Sequence, residues 1–195
     1  LFLCNNLKKH NYRFVSTGST AKKIKSLGHK CYEISKLTKF KEILNGRVKT
    51  LNPKIHGSIL FDRNDKNQVK EFMQLNTPKI DLVVVNLYPF ETVLKDSAEE
   101  KVIEMIDIGG CSLLRSASKN FKYITAISNI KDYPKLVKNL NKNNGETDLL
   151  FRKSLAGENY KIASNYDNVI SKWFKKTDNN NKKINLRYGE NPHQQ

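Results

Sequence analysis

Asp81-Leu82-Val83-Val84-Val85-Asn86 is the stretch that decides the fold. A run of this kind, β-branched and without polar alternation, reads as a strand buried on both faces. Parallel sheets covered by helices on each side ask for such strands, so this is the expected central strand. Outward from it, weaker strand signals lie at Arg13 to Ser16, Cys31 to Ile34, Ser58 to Phe61 and Tyr123 to Ser128. Helical spacing fills Thr20 to Leu27, Asn67 to Leu75, Ala98 to Ile106, Ser112 to Asn120 and Tyr133 to Leu140. Strand and helix alternate through the first 140 residues, which predicts an α/β architecture with a mostly parallel sheet.

Past Gly145 the pattern changes. Thr147 is placed to cap a helix, and Leu150, Leu155, Ile162, Tyr166, Val169, Ile170, Trp173 and Phe174 recur at helical spacing. One or two C-terminal helices are expected, with a break at Gly157 if there are two. The run 175–183 holds no apolar residue and reads as a linker, so the main domain spans 1–174 and something else starts at 184–195.

The hydrophobic share of 38% and charged share of 28% suit a globular chain. Its longest apolar run, Leu82 to Val85, is far too short to span a bilayer, and Leu1-Phe2-Leu3 gives way at once to Cys4-Asn5-Asn6 instead of a signal-peptide core. A cytoplasmic location with no membrane partner is expected. Cys4, Cys31 and Cys111 are too scattered for a disulfide framework or a zinc site, so no metal is expected and the thiols read as reduced. The net charge of +16 comes from 29 Lys and only 6 Arg spread over every segment, a solvated lysine coat with no basic arm; nucleic acid is not expected as a partner.

Four segments carry candidate chemistry. Ser16, Thr17, Gly18, Ser19 and Thr20 leave a strand and open a helix, where free N–H groups suit a phosphate; an ordinary capped turn is the alternative. Arg47, Lys49 and Thr50 crowd two cations and a hydroxyl behind Gly46; if the chain is extended the cations share a face and can hold a dianion, and otherwise this is a solvated basic loop. Asn86 and Tyr88 leave the carboxyl end of the central strand, where α/β sheets place ligands, unless Tyr88 is packed as core. Asp107, between two isoleucines and ahead of Gly109-Gly110, is a carboxylate in apolar surroundings that needs a partner, Lys119 or Lys49, or else caps a helix.

In order, Ser-Thr-Gly-Ser-Thr-Ala-Lys from Ser16, Gly-Arg-Val-Lys-Thr-Leu-Asn-Pro-Lys-Ile-His-Gly from Gly46, Asn-Leu-Tyr-Pro-Phe from Asn86, Ile-Asp-Ile-Gly-Gly from Ile106 and Arg-Tyr-Gly-Glu-Asn-Pro-His-Gln from Arg187 resemble one family, the bifunctional AICAR transformylase/IMP cyclohydrolases. The resemblance covers essentially the whole chain. It implies a methylglyoxal-synthase-like three-layer fold over 1–174 followed by C-terminal helices, with 184–195 as the start of the transformylase domain. The family usually begins with a further strand and a Ser-Val-Ser-Asp-Lys-Thr-Gly turn, and often has two glycines where this chain has Gly18-Ser19, which requires Ser19 at negative φ. The chain is therefore expected to be a fragment truncated at both ends.

The implied reaction closes the second purine ring: the carboxamide nitrogen of 5-formamidoimidazole-4-carboxamide ribotide attacks the formyl carbon, water leaves and IMP forms. The resemblance places Ser16 to Thr20, Arg47, Lys49 and Thr50 around phosphate and ribose, and Asn86, Tyr88, Asp107, Ile108 and Gly109 around the base. Asp107 is expected to take the amide proton and Lys49 to stabilise the formyl oxygen. Lys119 is expected to keep Asp107 charged and protonate the departing water, and Tyr88 to donate to the oxyanion. No cofactor is needed for this step; the transformylase domain would use 10-formyltetrahydrofolate, with Arg187 and Tyr188 binding its substrate. A homodimer is expected for the complete protein. Methylglyoxal synthase shares the fold but not these motifs, and a non-catalytic nucleotide- or phosphate-binding regulatory domain of the same fold, as in carbamoyl phosphate synthetase, is the alternative.

Overall fold

The computed structural model describes residues 1–87, 90–93 and 98–180, apart from the side chains of residues 91, 93 and 176–180. Helix α1 (Phe2–Lys9) precedes strand β1 (Phe14–Ser16), and α2 (Gly18–Ser26) crosses to β2 (Cys31–Glu33). Between β2 and β3 (Leu82–Val84) come α3 (Ile34–Thr38), α4 (Pro53–Leu60) and α5 (Lys66–Gln74). Then α6 (Phe90–Val93), α7 (Glu99–Glu104) and α8 (Ile108–Lys119) lead to β4 (Thr125–Ile127), and α9 (Tyr133–Lys142) and α10 (Leu149–Asn180) follow. Each strand pair is parallel: Phe14 faces Cys31 across β1 and β2, and Leu82 faces Thr125 across β3 and β4. Parallel pairing requires a crossover, and the helices supply it.

Side-chain alternation along β3 and β4 produces the layers. Val83, Ile124 and Ala126 join Ile55 and Ile59 of α4 and Ala117 of α8 on one side. Ile127 joins Leu7 of α1, Leu136 and Leu140 of α9 and Leu155 of α10 on the other, with Leu82 against the same cluster. Helices thus cover both faces of β3–β4, the α/β arrangement expected. The stretch expected to be the central strand is not central: the described strands form two separate two-stranded sheets, β3 has β4 alone among them as strand neighbour, and so Val83 is buried but Val84 is 37% exposed.

Several expectations are corrected. Ser58 to Phe61 is not a strand; Ser58 to Leu60 ends α4. The Asn52 side chain accepts the Lys54 N–H at 2.9 Å, Pro53 opens the helix, and Ile55 and Ile59, one turn apart, bury the same face. Thr147 does not cap the last helix. Asp148 does, accepting the Phe151 N–H at 2.7 Å, while the Thr147 hydroxyl meets that of Thr125 at 2.7 Å. Gly157 breaks nothing, since α10 runs through it. α10 continues to Asn180, through the first residues of the run 175–183 expected as a linker. The segment 184–195, with Arg187 and Tyr188, lies outside the described residues, as do Tyr88 and Pro89.

The three cysteines are free, and burial pushes Cys31 up and Cys111 up to about 11, so both are held as thiols. Among the described residues no helix is long and apolar enough to cross a membrane. Ile127 is fully buried at the junction of β4 with the α1–α9–α10 side, so Ile127→Ala is expected to cost about 2–5 kcal/mol in denaturant unfolding.

Candidate active site

The entry to α8 is the best-determined part of the site. Asp107 is its N-cap, at φ −84° and ψ 105°, and its Oδ1 accepts the Gly110 N–H at 2.6 Å. Residue 110 must be glycine, because a Cβ there would stand 2.4 Å from Asp107 Oδ2. The Asp107 N–H donates to the Tyr166 hydroxyl of α10 at 2.7 Å, and that hydroxyl donates to the Met105 carbonyl at 3.3 Å. Since α8 feeds β4 from above, its start lies toward the carboxyl ends of β3 and β4.

The basic loop closes over this entry. Leu44, Asn45 and Gly46 take successive left-handed conformations (φ 53°, 52° and 87°), turning the chain so that Ile43 bridges Val48. Arg47 is helical in conformation, so the extended stretch that would align it with Lys49 does not form. Instead each cation meets a carboxylate. The Arg47 guanidinium donates twice to Glu104, and the Lys49 ammonium sits 3.5 Å from Glu42. Lys49 folds back across Gly46, where a Cβ would be 2.6 Å from Lys49 Cε. Both pairs are exposed, and Arg47 holds the Glu104 carboxyl below the usual carboxylate range. The Thr50 hydroxyl packs against Gly109, 2.7 Å from where a Cβ would stand, and so seats the loop on α8.

The remaining candidates sit on β1 and α2, just beyond β3, and at the two ends of α8. Ser16 ends β1, Thr17 begins α2 without a side-chain cap bond, and Gly18, Ser19 and Thr20 are exposed in its first turn. Gly18 takes the positive φ (34°), which leaves Ser19 at negative φ as required. Asn86 donates to the Tyr133 hydroxyl at 3.0 Å just beyond β3, and Ile108 is exposed at the start of α8. Lys119 is the last residue of α8, whose 12 residues span about 18 Å, and so it cannot be the partner of Asp107. Lys49 is not that partner either, since it pairs with Glu42.

The MGS-like domain model matches residues 1–112. The chain belongs to the MGS-like family. Beyond that stretch, the AICARFT/IMPCHase bienzyme model matches residues 117–195 of this MGS-like chain. Among curated relatives, the bifunctional purine biosynthesis protein PurH of Clostridium kluyveri is 42% identical, covering 100% of this chain and 40% of that protein. Its counterpart in Microcystis aeruginosa is 41% identical over 96% of this chain and 39% of its own length. The chain therefore spans about two fifths of the curated relatives it matches. The crystal structure of ForH superposes with a TM-score of 0.77 at 29% identity, covering 88% of this chain and 90% of that one.

Three residues of this MGS-like chain that sequence reasoning left without a role belong to the site's frame: Glu104, Tyr166 and His56. His56 Nδ1 lies 3.0 Å from the Ser116 hydroxyl, joining α4 to α8 beside the Thr50 main chain, and among the described residues its buried Nε2 has no hydrogen-bond partner. Burial lowers the imidazole pKa, against a smaller upward pull from the Thr50 carbonyl, so the ring is neutral. A base whose folded pKa is lowered contributes full stability above its ordinary value of about 6.5, and that contribution is lost as pH falls through the lowered value. Thermal melts between about pH 7.5 and 5 should therefore show a decline that is shallower in His56→Gln.

Proposed function

We propose that this chain is the IMP cyclohydrolase part of a bifunctional purine-biosynthesis enzyme. One observation carries the reading: the Thr50–Gly109 contact brings a loop bearing Arg47 and Lys49 onto a helix entry led by Asp107, at the carboxyl end of β3. An anionic nucleotide needs such a pairing of cations with an acid–base group. The matches to the bienzyme model and to the PurH proteins support the same reaction.

The substrate carries both reacting groups, so the protein's work is orientation, charge stabilisation and proton transfer. Arg47, Thr50 and the turn Ser16 to Thr20 hold phosphate and ribose, the phosphate displacing Glu104 from the Arg47 fork. Asn86, Ile108 and Gly109 line the base. As the carboxamide nitrogen bonds to the formyl carbon, Asp107 takes one of the nitrogen's protons, while Lys49 and Tyr88 stabilise the formyl oxygen; that oxygen then leaves as water with the proton returned by Asp107 and the proton of the formamide nitrogen, the ring C=N bond forms and IMP remains. The cap occupies only Asp107 Oδ1, and a carboxylate has acceptor positions to spare. This step uses no cofactor. In the complete protein, a transformylase domain beginning near 184, with Arg187 and Tyr188, would use 10-formyltetrahydrofolate, and the whole would be a cytoplasmic homodimer without nucleic-acid partners.

Steady-state kinetics and nucleotide affinity on two variants test the reading. Asp107→Asn keeps an amide oxygen for the cap and removes the proton acceptor, so turnover is expected to fall about a hundredfold or more with IMP binding little changed. Arg47→Ala should raise KM more than it lowers kcat. A chain that binds IMP but never cyclises the formylated ribotide is instead a regulatory nucleotide binder.

A further inference from the structure

We propose that Tyr166 is a positioning residue for Asp107, acting from α10 to fix the direction of that carboxylate; this rests on Asp107 being the proton acceptor. The ring of Tyr166 is buried beside Phe90, with centroids 6.0 Å apart and planes at 69°, in a cluster that also holds Val102. Packing alone would be served by phenylalanine. The hydroxyl is bonded twice, to the Asp107 N–H and the Met105 carbonyl, and both partners are main-chain groups of the turn that enters α8. Burial raises the phenol's pKa, which keeps it protonated and able to make both bonds.

The consequence is geometric. With its N–H held from behind by Tyr166 and Oδ1 held from in front by Gly110, Asp107 has its backbone and one carboxylate oxygen fixed, and Oδ2 is left for chemistry. Among the described residues no other side chain bonds the main chain of the 105–107 turn, so without the hydroxyl the carboxylate can rotate about the remaining cap bond. Tyr166 stands 59 residues from Asp107. It lies in the stretch matched by the bienzyme model, whereas Asp107 lies in the MGS-like stretch. The bond therefore ties the segment typical of the bienzyme to the proposed acid–base group.

The test is kinetics on the full chain with the formylated ribotide as substrate, for Tyr166→Phe, Asp107→Asn and the double variant. Tyr166→Phe is expected to lower kcat about tenfold to a hundredfold with KM changed less than about twofold, and to have almost no further effect in the Asp107→Asn background. Phe90→Leu is the packing control: it lowers Tm but should leave kcat near normal. Placing 3,5-difluorotyrosine at 166 keeps ring and hydroxyl while weakening the oxygen as an acceptor, so a kcat between wild type and Phe is expected even if Tyr166→Phe folds poorly. Unchanged kcat in both 166 variants, or an equal loss with and without the Asp107 carboxylate, overturns the inference. If Asp107→Asn itself is silent, the reading of Asp107 fails instead.

Discussion

The Asp107 N–H reaches back to the Tyr166 hydroxyl while its carboxylate reaches forward to the Gly110 N–H, so one residue is bonded on both sides of the point where the chain becomes helical. A helix start leaves N–H groups that need partners, and a half-buried turn cannot leave its own main-chain groups unpaired. Asp107 and Tyr166 answer both demands at one place. With the entry fixed, Gly109 presents a bare surface to the Thr50 hydroxyl, and Glu104, three residues before the cap, faces Arg47. The loop from 43 to 50 is thus built on the α8 entry, and the Ile43–Val48 bridge and the Lys49–Glu42 pair tie it internally.

Electrostatics keep that loop ordered without locking it. Arg47 and Lys49 each face a glutamate across solvent, and exposed pairs of this kind are weak. Glu104 takes the Nε–Nη2 edge of Arg47 with both carboxylate oxygens, so it orders the fork in a geometry a dianion can take over. A chain with net charge +16 could have left these cations bare. Pairing them with Glu42 and Glu104 limits their mutual repulsion and gives the loop a defined shape.

Legibility in the sequence followed how local each cause was. The β-branched run at 82–85, the Asn52-Pro53 start of α4 and the Asp107-Gly109-Gly110 turn depend on neighbouring residues; the first reads as a strand, though its place at the centre of the sheet does not follow, the last reads as a cap, and Asn52-Pro53 is outweighed by the strand-like Ser58 to Phe61. Period alone cannot separate a four-residue apolar stretch in a strand from one buried face of a helix, and the cap decided it. Asp107 was recognised as either cap or carboxylate base, and the structure shows the cap without removing the free oxygen. Lys119 was misjudged because a motif gives order along the chain, whereas twelve residues of helix convert that order into distance. Tyr166 was visible only as one apolar position in a stripe. Nothing local distinguishes a tyrosine kept for its ring from one kept for its hydroxyl.

That hydroxyl lands where it does because of the register of α10, and the register has its own device. Asn159 is buried in the same helix seven residues before Tyr166, two turns away and so on the same face. Its amide donates to the Ser118 hydroxyl of α8 at 3.1 Å and to the Ala126 carbonyl of β4 at 3.0 Å. An apolar residue there would let α10 slide or rotate against α8 and β4 at little cost. A buried amide does not, since any shift leaves its N–H groups without acceptors. Arg152 secures the other end by donating to the carbonyls of Phe121 and Lys122, in the turn that joins α8 to β4, and to that of Thr147 just ahead of α10. Three polar side chains on one helix, at 152, 159 and 166, therefore hold the turn after α8, its last turn and its entry, and the proposed acid–base group sits at the last of these points.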